Sequence, residues 1–262
     1  MSRNNTGVFA ARKKDNSIYY RASLTYKGKH ISLGSFNTEE AAGEAYRYAR
    51  EILDTPSLLP ENCPLELPLP FEKLVILTNF RDNGLYFSTP IYLRKSFFLY
   101  YLSRERILKF DKDDLFYYSS HKIMARGNHL FVADYGMQVN ILNRYEIMSY
   151  AVPGRDYDFA NGDTNDFRYN NIIIHNRYRG VRRKDDEGNV FYEAYIHVNG
   201  TIKIGNYERE ELAAIAYNKA IDILHKNGFK RKYTPNYVEN ISPREYAELY
   251  SSLSVNPYLY EA

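Results

Sequence analysis

The chain carries one stretch of sequence twice. Residues 7–53 read GVFAARKKDNSIYYRASLTYKGKHISLGSFNTEEAAGEAYRYAREIL and residues 180–224 read GVRRKDDEGNVFYEAYIHVNGTIKIGNYEREELAAIAYNKAIDIL. Gly7-Val8 matches Gly180-Val181, Ala22 matches Ala194, Gly28 matches Gly200, Gly34 matches Gly205 and Tyr46 matches Tyr217. From the last shared glycine to that tyrosine the spacing is identical, 46 − 34 = 12 and 217 − 205 = 12. The one-residue differences fall in turns. Any architecture must therefore hold the same supersecondary unit twice.

Within each copy the apolar period is two and then becomes helical, which predicts three short strands followed by one helix. In the second copy Tyr192, Ala194 and Ile196 alternate with Glu193, Tyr195 and His197, and Ile202 and Ile204 alternate with Thr201 and Lys203. Asn199-Gly200 is a hairpin signal and Lys27-Gly28 its counterpart. The first helix has Asn37 or Thr38 as its N-cap, with Glu39 and Glu40 in the turn where the helix dipole favours acids. Alanine-rich stripes (Ala42, Ala45, Tyr46, Ala49, Leu53; Ala213, Ala216, Tyr217, Ala220, Leu224) let each helix lie close on its sheet.

Five of the ten prolines fall in residues 55–71, which reads as an ordered or semi-rigid connection rather than a helix or central strand. From about Leu74 to Asn176 the pattern is mostly strand-like, with turn signals at Asp82-Asn83-Gly84, Arg126-Gly127-Asn128 and Asn161-Gly162-Asp163. Lys226 to Lys232 is a short basic stretch, and Pro243 stands where a short helix would begin. The expected class is α+β: two small modules of three-stranded antiparallel sheet plus one helix around a mostly β middle. The expected organisation is a first module over 1–56, a proline-rich linker over 57–73, the middle domain over 74–176, the second module over 177–237 and a tail over 238–262.

Net charge is only +3, but it is unevenly spread. Residues 1–38 hold seven Lys/Arg (Arg3, Arg12, Lys13, Lys14, Arg21, Lys27, Lys29) against one acid, Asp15, as expected of a phosphate-facing surface. Cys63 is the only cysteine, which excludes an intrachain disulfide and a cysteine-rich zinc site and points to a reducing compartment. No apolar run approaches the length of a membrane span, and the start lacks a signal peptide, so a cytoplasmic location is expected. Tyrosine is abundant, 27 residues against no tryptophan, giving many side chains that can be half buried and still offer a hydroxyl.

Strand alternation turns the second copy into two faces. With Val181, Ala194, Ile196, Ile202 and Ile204 against the helix, Arg182, Lys184, Tyr195, His197, Thr201 and Lys203 share the opposite face. A sheet of this width fits the major groove of duplex DNA; the competing reading is a merely solvated face. The glycine-valine start, the YRA and YEA segments, the LGSF and IGNY strand ends and the AAxxAY helices resemble the DNA-binding domain of plant ethylene-response factors, a module also found in phage and bacterial HNH homing endonucleases. The resemblance implies base and phosphate contacts at Arg179, Arg182 and Lys184, with His197, Thr201 and Lys203 further along the sheet. In the first copy the matching strand-one positions are Thr6, Phe9 and Ala11, so its contacts are expected on Arg12, Lys13, Arg21, Thr25, Lys29 and His30. The family's tryptophans are absent from both copies, so its base preference does not transfer.

Residues 158–172, DFANGDTNDFRYNNI, are similar to the HNH signature DHxNGDxxDNRxxNL and stand before the second module, as in that family. In an active enzyme of this type the histidine after the first aspartate activates water beside a metal ion. Here that place is Phe159, an upstream histidine-arginine pair is Asn143-Arg144, and the asparagine of DNR is Phe167. Asp158, Asp163, Asp166, Arg168 and Asn171 remain, enough for the turn but without a base. His121, His129 and His175 lack partners at ligand spacing and read as surface or satisfied histidines. Asp156 and Asp158 read as turn caps. No cofactor is implied. The leading expectation is a non-catalytic binder of duplex DNA, a regulator of phage or mobile-element type. The alternatives are an inhibitor of a host protein or nucleoprotein, such as a defence nuclease, and a residual nicking endonuclease. Oligomeric state is left open.

Overall fold

In the computed structural model, which describes residues 7–239 and 241–261, each sequence copy is a three-stranded antiparallel sheet carrying one helix, and the class is α+β. Contacts divide the chain into two compact units, Met1–Ile141 with Asp163–Asn171, and Leu142–Gly162 with Ile172–Ala262.

The first unit opens with β1 (Val8–Arg12), β2 (Ile18–Tyr26) and β3 (Lys29–Phe36), in that order across the sheet, followed by α1 (Glu39–Asp54). Thr38 is the N-cap, its hydroxyl accepting from the Ala41 N–H. Ala42, Ala45 and Ala49 are fully buried against Leu24, Ile31 and Leu33, because a methyl side chain lets the helix axis approach the pleat. Lys27 and Gly28 both have positive φ, the primed turn that matches strand twist.

The segment after α1 is neither helix nor strand, as its prolines imply, and two arginines hold it. The Arg81 side chain is only 6% exposed, and its guanidinium donates to the carbonyls of Ile52, Thr55, Pro56 and Leu58 and pairs with Asp82. Arg104 donates to those of Cys63, Pro64 and Leu65. Residues 74–83 then differ from the strand-like expectation, and 71–73 from the linker assigned to 57–73: together they form α2 (Phe71–Asn83). Leu74 through Phe80 are all buried, Thr78 and Asn79 included, so the helix shows no apolar stripe. An apolar run buried all round cannot be assigned by period. The Asp82-Asn83-Gly84 signal is its C-cap, Gly84 being left-handed with its N–H on the Phe80 carbonyl.

Two further three-stranded antiparallel sheets complete the unit: β4 (Ile91–Leu93), β5 (Phe97–Tyr101) and β6 (Ile107–Asp111), then, after the short α3 (Leu115–Ser120), β7 (Ile123–Arg126), β8 (His129–Asp134) and β9 (Met137–Asn140). Tyrosines sit at the joints. Buried Tyr100 accepts from the Ile123 N–H, and Tyr101 donates to Glu61 at 2.6 Å. Burial pushes both phenols well above their ordinary pKa, so they act as neutral hydroxyls.

The second unit contains the short hairpin β10 (Tyr157–Phe159) and β11 (Ile172–Ile174), then the sheet β12 (Val181–Asp186), β13 (Asn189–His197), β14 (Thr201–Tyr207), and α4 (Glu210–Lys226). Its helix lacks a side-chain cap because Arg209 stands where the first copy has Thr38. The tail is integral to this core. Ser242 caps α5 (Pro243–Ser252), Leu259 is fully buried, and the Asn256 N–H bonds the Ile204 carbonyl, covering the free edge of β14. Lys219 donates to the carbonyls of Tyr250, Ser251 and Leu253, neutralising the end of α5.

The repeat is reproduced in detail. In both copies a bulge follows the shared alanine, between Ala22 and Ser23 and between Ala194 and Tyr195. It sets Gly34 opposite Ala22 and Gly205 opposite Ala194, so that Leu33 and Ile204 can also point inward. Gly7 and Gly180 both have positive φ, and a Cβ there would stand 2.3 Å from the Tyr46 ring and 2.4 Å from the Tyr217 ring. Their carbonyls accept from the N–H of Ser23 and of Tyr195. Glycine at the start and tyrosine in the helix are thus one contact. No helix among the described residues is long and apolar enough to cross a membrane.

Candidate nucleic-acid interface

In the second module Val181, Ala194, Ile196 and Ile204 are buried and Ile202 packs with them. The register then sends Arg182, Lys184, Tyr195, His197, Thr201 and Lys203 to the face away from α4, where His197 lies opposite Thr201 and Tyr195 opposite Lys203. Glu193, opposite Arg182, shares this face and ties up Lys203 at 3.1 Å. Lys203 is thereby less available than its sequence position suggests. Arg182 lies over the Tyr195 ring at 4.1 Å and Arg179 over the Tyr150 ring at 4.2 Å. Among the described residues neither arginine pairs with a carboxylate, and the Arg182 Nε, though buried, has no hydrogen-bond partner. Stacking fixes these guanidinium planes without neutralising them. Lys184, exposed at the outer strand, makes no ion pair among the described residues either.

The first module distributes its cations differently. Arg21, Thr25 and His30 lie on the open face, and Arg21 donates to the Tyr19 hydroxyl at 2.6 Å. Phe9, opposite Arg21, is 59% exposed and stands where the second copy has Arg182. Lys13 is in the β1–β2 turn. Arg12 alternates with Val8 and so lies on the helix side at the end of the sheet. Lys29 also lies on that side, opposite Tyr26, with its ammonium 5.2 Å from the Tyr86 ring centroid. The six residues are therefore not one surface. Thr6 is outside the described residues.

One feature was visible in sequence only as a basic run. Residues 230–234 fold back beside the β13–β14 turn, where the Tyr233 hydroxyl donates to the His197 carbonyl. Arg231 reaches the carbonyls of His197 and Val198 at 3.4 Å. Together with Tyr150, Arg179, Tyr195 and Tyr217 this segment encloses a groove of about 250 Å³.

Residues 158–172 are divided between the units. Phe159 lies on β10 with its ring against Tyr157. The Gly162 N–H closes the turn onto the Phe159 carbonyl. Asp158 meets His175 at 2.9 Å, a pairing that strand register creates and linear spacing does not show. In the first unit Asp163 accepts from the Asn165 N–H and pairs with Lys109, buried Asp166 holds Arg168 through both oxygens, and Asn171 donates to the Asp166 carbonyl. Phe167 is buried and stacked on Phe110. These polar residues hold the loop. Asp156 likewise accepts from the Val152 N–H, Arg155 and Asn176. His121 stacks on Tyr117 and lies 3.6 Å from Asp134. Among the described residues no three His, Cys, Asp or Glu side chains are grouped to hold a metal ion. No family model matches the chain, and no curated protein or solved structure matches it.

Proposed function

We propose that the protein is a non-catalytic DNA-binding protein, a regulator of phage or mobile-element type resembling tandem ethylene-response-factor-like modules around a degenerate HNH-like segment. The observation that carries this reading is the set of unneutralised cations on the second module: Arg179 and Arg182, each stacked on a tyrosine, with Lys184 beside them. A guanidinium held in place by an aromatic ring and lacking a carboxylate keeps its donors for an external anion. Its planar fork suits a phosphate or a guanine edge. The first module, with Phe9 at the position of Arg182, adds backbone affinity through Lys13 and Arg21 rather than base reading.

The test is selection of binding sites from random duplex DNA followed by variants. Arg182→Ala costs about 1–3 kcal/mol and blurs the preference at one base position. Lys13→Ala weakens binding to all sequences alike. Recovery of no preferred site, or an Arg182→Ala variant with unchanged selectivity, contradicts the reading. A second reading, recognition of a host protein or nucleoprotein, draws on exposed Phe9, an aromatic side chain suited to an apolar pocket better than to a phosphate. Failure of the chain to bind DNA, with Phe9→Ser abolishing capture of a nuclease complex, would favour it.

A further inference from the structure

The groove beside the β13–β14 turn has a lining of one electrostatic sign. It holds the cations Arg179, Arg231 and Lys232, and no carboxylate lines it. The adjoining pocket, which shares Tyr150, Arg179 and Thr234 with it, sets the carboxylates Glu146, Glu210, Glu211 and Glu239 against the cations Arg177 and Arg179. An anion is therefore favoured in the groove over its neighbour, where acids outnumber cations.

Four tyrosines share the lining with Gly180, Ile196, His197 and Thr234. Tyr150 and Tyr195 each carry an arginine on one ring face, so their planes are held; Tyr217, fixed against Gly180, is buried and backs the groove without offering a ring face. Tyr233 is anchored through its hydroxyl to His197. A bare phosphate or a carboxylate would leave these rings unused. A duplex is too wide for a cavity of about 250 Å³. Cations beside preset aromatic planes are instead the combination that binds an unpaired nucleotide, phosphate on the cations and base on a ring.

We propose that this groove receives one unpaired nucleotide of the bound DNA, its base against the tyrosines and its phosphate at Arg231 and Lys232. The proposal rests on the DNA-binding reading above and adds a structural preference to it: a bulge, overhang or extruded base at the edge of the site.

The experiment uses the full chain and two labelled duplexes of one selected sequence, fully paired and with a single unpaired nucleotide at the position facing the groove, scanned one base at a time. Fluorescence anisotropy is expected to give about tenfold tighter binding of one unpaired form, from a single base–aromatic stack. Tyr233→Leu should abolish that preference, while Tyr233→Phe, which keeps the ring but loses its anchor to His197, should retain part of it. Equal affinity for paired and unpaired forms, with duplex binding intact, overturns the proposal alone. Binding to neither DNA overturns the DNA-binding reading and this proposal with it. A preference that survives Tyr233→Leu but not Arg182→Ala assigns the nucleotide to the sheet face and refutes the groove.

Discussion

Gly180→Ala isolates the contact that ties the start of the repeat to its helix. Gly180 has φ +71°, and an added Cβ would lie 2.4 Å from the Tyr217 ring and 2.5 Å from the Tyr195 carbonyl oxygen. A left-handed alanine costs about 1–2 kcal/mol. Overpacking adds about 1–3 kcal/mol, because the ring can shift only into α4 and the carbonyl belongs to the strand that Gly180 itself bonds. The sum, about 2–5 kcal/mol, falls on the second unit. Gly188→Ala is the control: its φ is +90° and nothing lies within 4 Å of the added carbon, so only the conformational cost applies. Thermal unfolding followed by circular dichroism should show the second unit's midpoint lowered by roughly 8 °C or more in Gly180→Ala and by clearly less in Gly188→Ala. Tyr217→Leu in the Gly180→Ala background should recover part of the loss. Equal midpoints for the two alanine variants would refute the steric argument.

On the proposed reading, purified protein with magnesium or manganese should leave supercoiled plasmid intact, because Phe159 would stand where the resemblance places the base, and Asp158 is engaged by His175. Metal-dependent nicking that disappears in Asp158→Ala or His175→Ala would contradict this. Asp156 gives a pH dependence: burial alone would raise its carboxyl, but hydrogen bonds from Arg155, the Val152 N–H and Asn176 outweigh it and hold the pKa below the ordinary value. With a depressed folded-state pKa its stabilisation is complete above the unfolded value of about 4 and is lost as pH falls through the lower folded one. Acid unfolding should therefore be less steep in Asp156→Asn, and an unchanged profile would sink the assignment.

Much of the fold was legible because the repeat obeys simple periods. The three strands, the helix with Thr38 as cap, and the two faces of the second sheet all follow from alternation and capping chemistry. Helix α2 was not legible, since burial on every side erases the stripe from which a helix is recognised. Nor was the role of the prolines complete without Arg81 and Arg104, whose bonds span more than twenty residues of sequence. In the candidate site, alternation locates Arg182 and Lys184, but not the Glu193 pairing that occupies Lys203, nor the position of Lys29 on the helix side. The Asp158–His175 pair and the groove at Tyr233 arise from segments distant in sequence, and only the basic run around Arg231 hinted at the second.

On the DNA-binding proposal, unneutralised cations of the modules meet DNA phosphates. Its most direct measurement is the affinity of the full chain for a duplex as a function of salt. With about four phosphates neutralised, the dissociation constant should rise by about two orders of magnitude over a fourfold increase in salt, and Arg182→Ala should lower the logarithmic slope by about one. A dissociation constant that stays level across that range would contradict the claim and assign these surfaces to a protein.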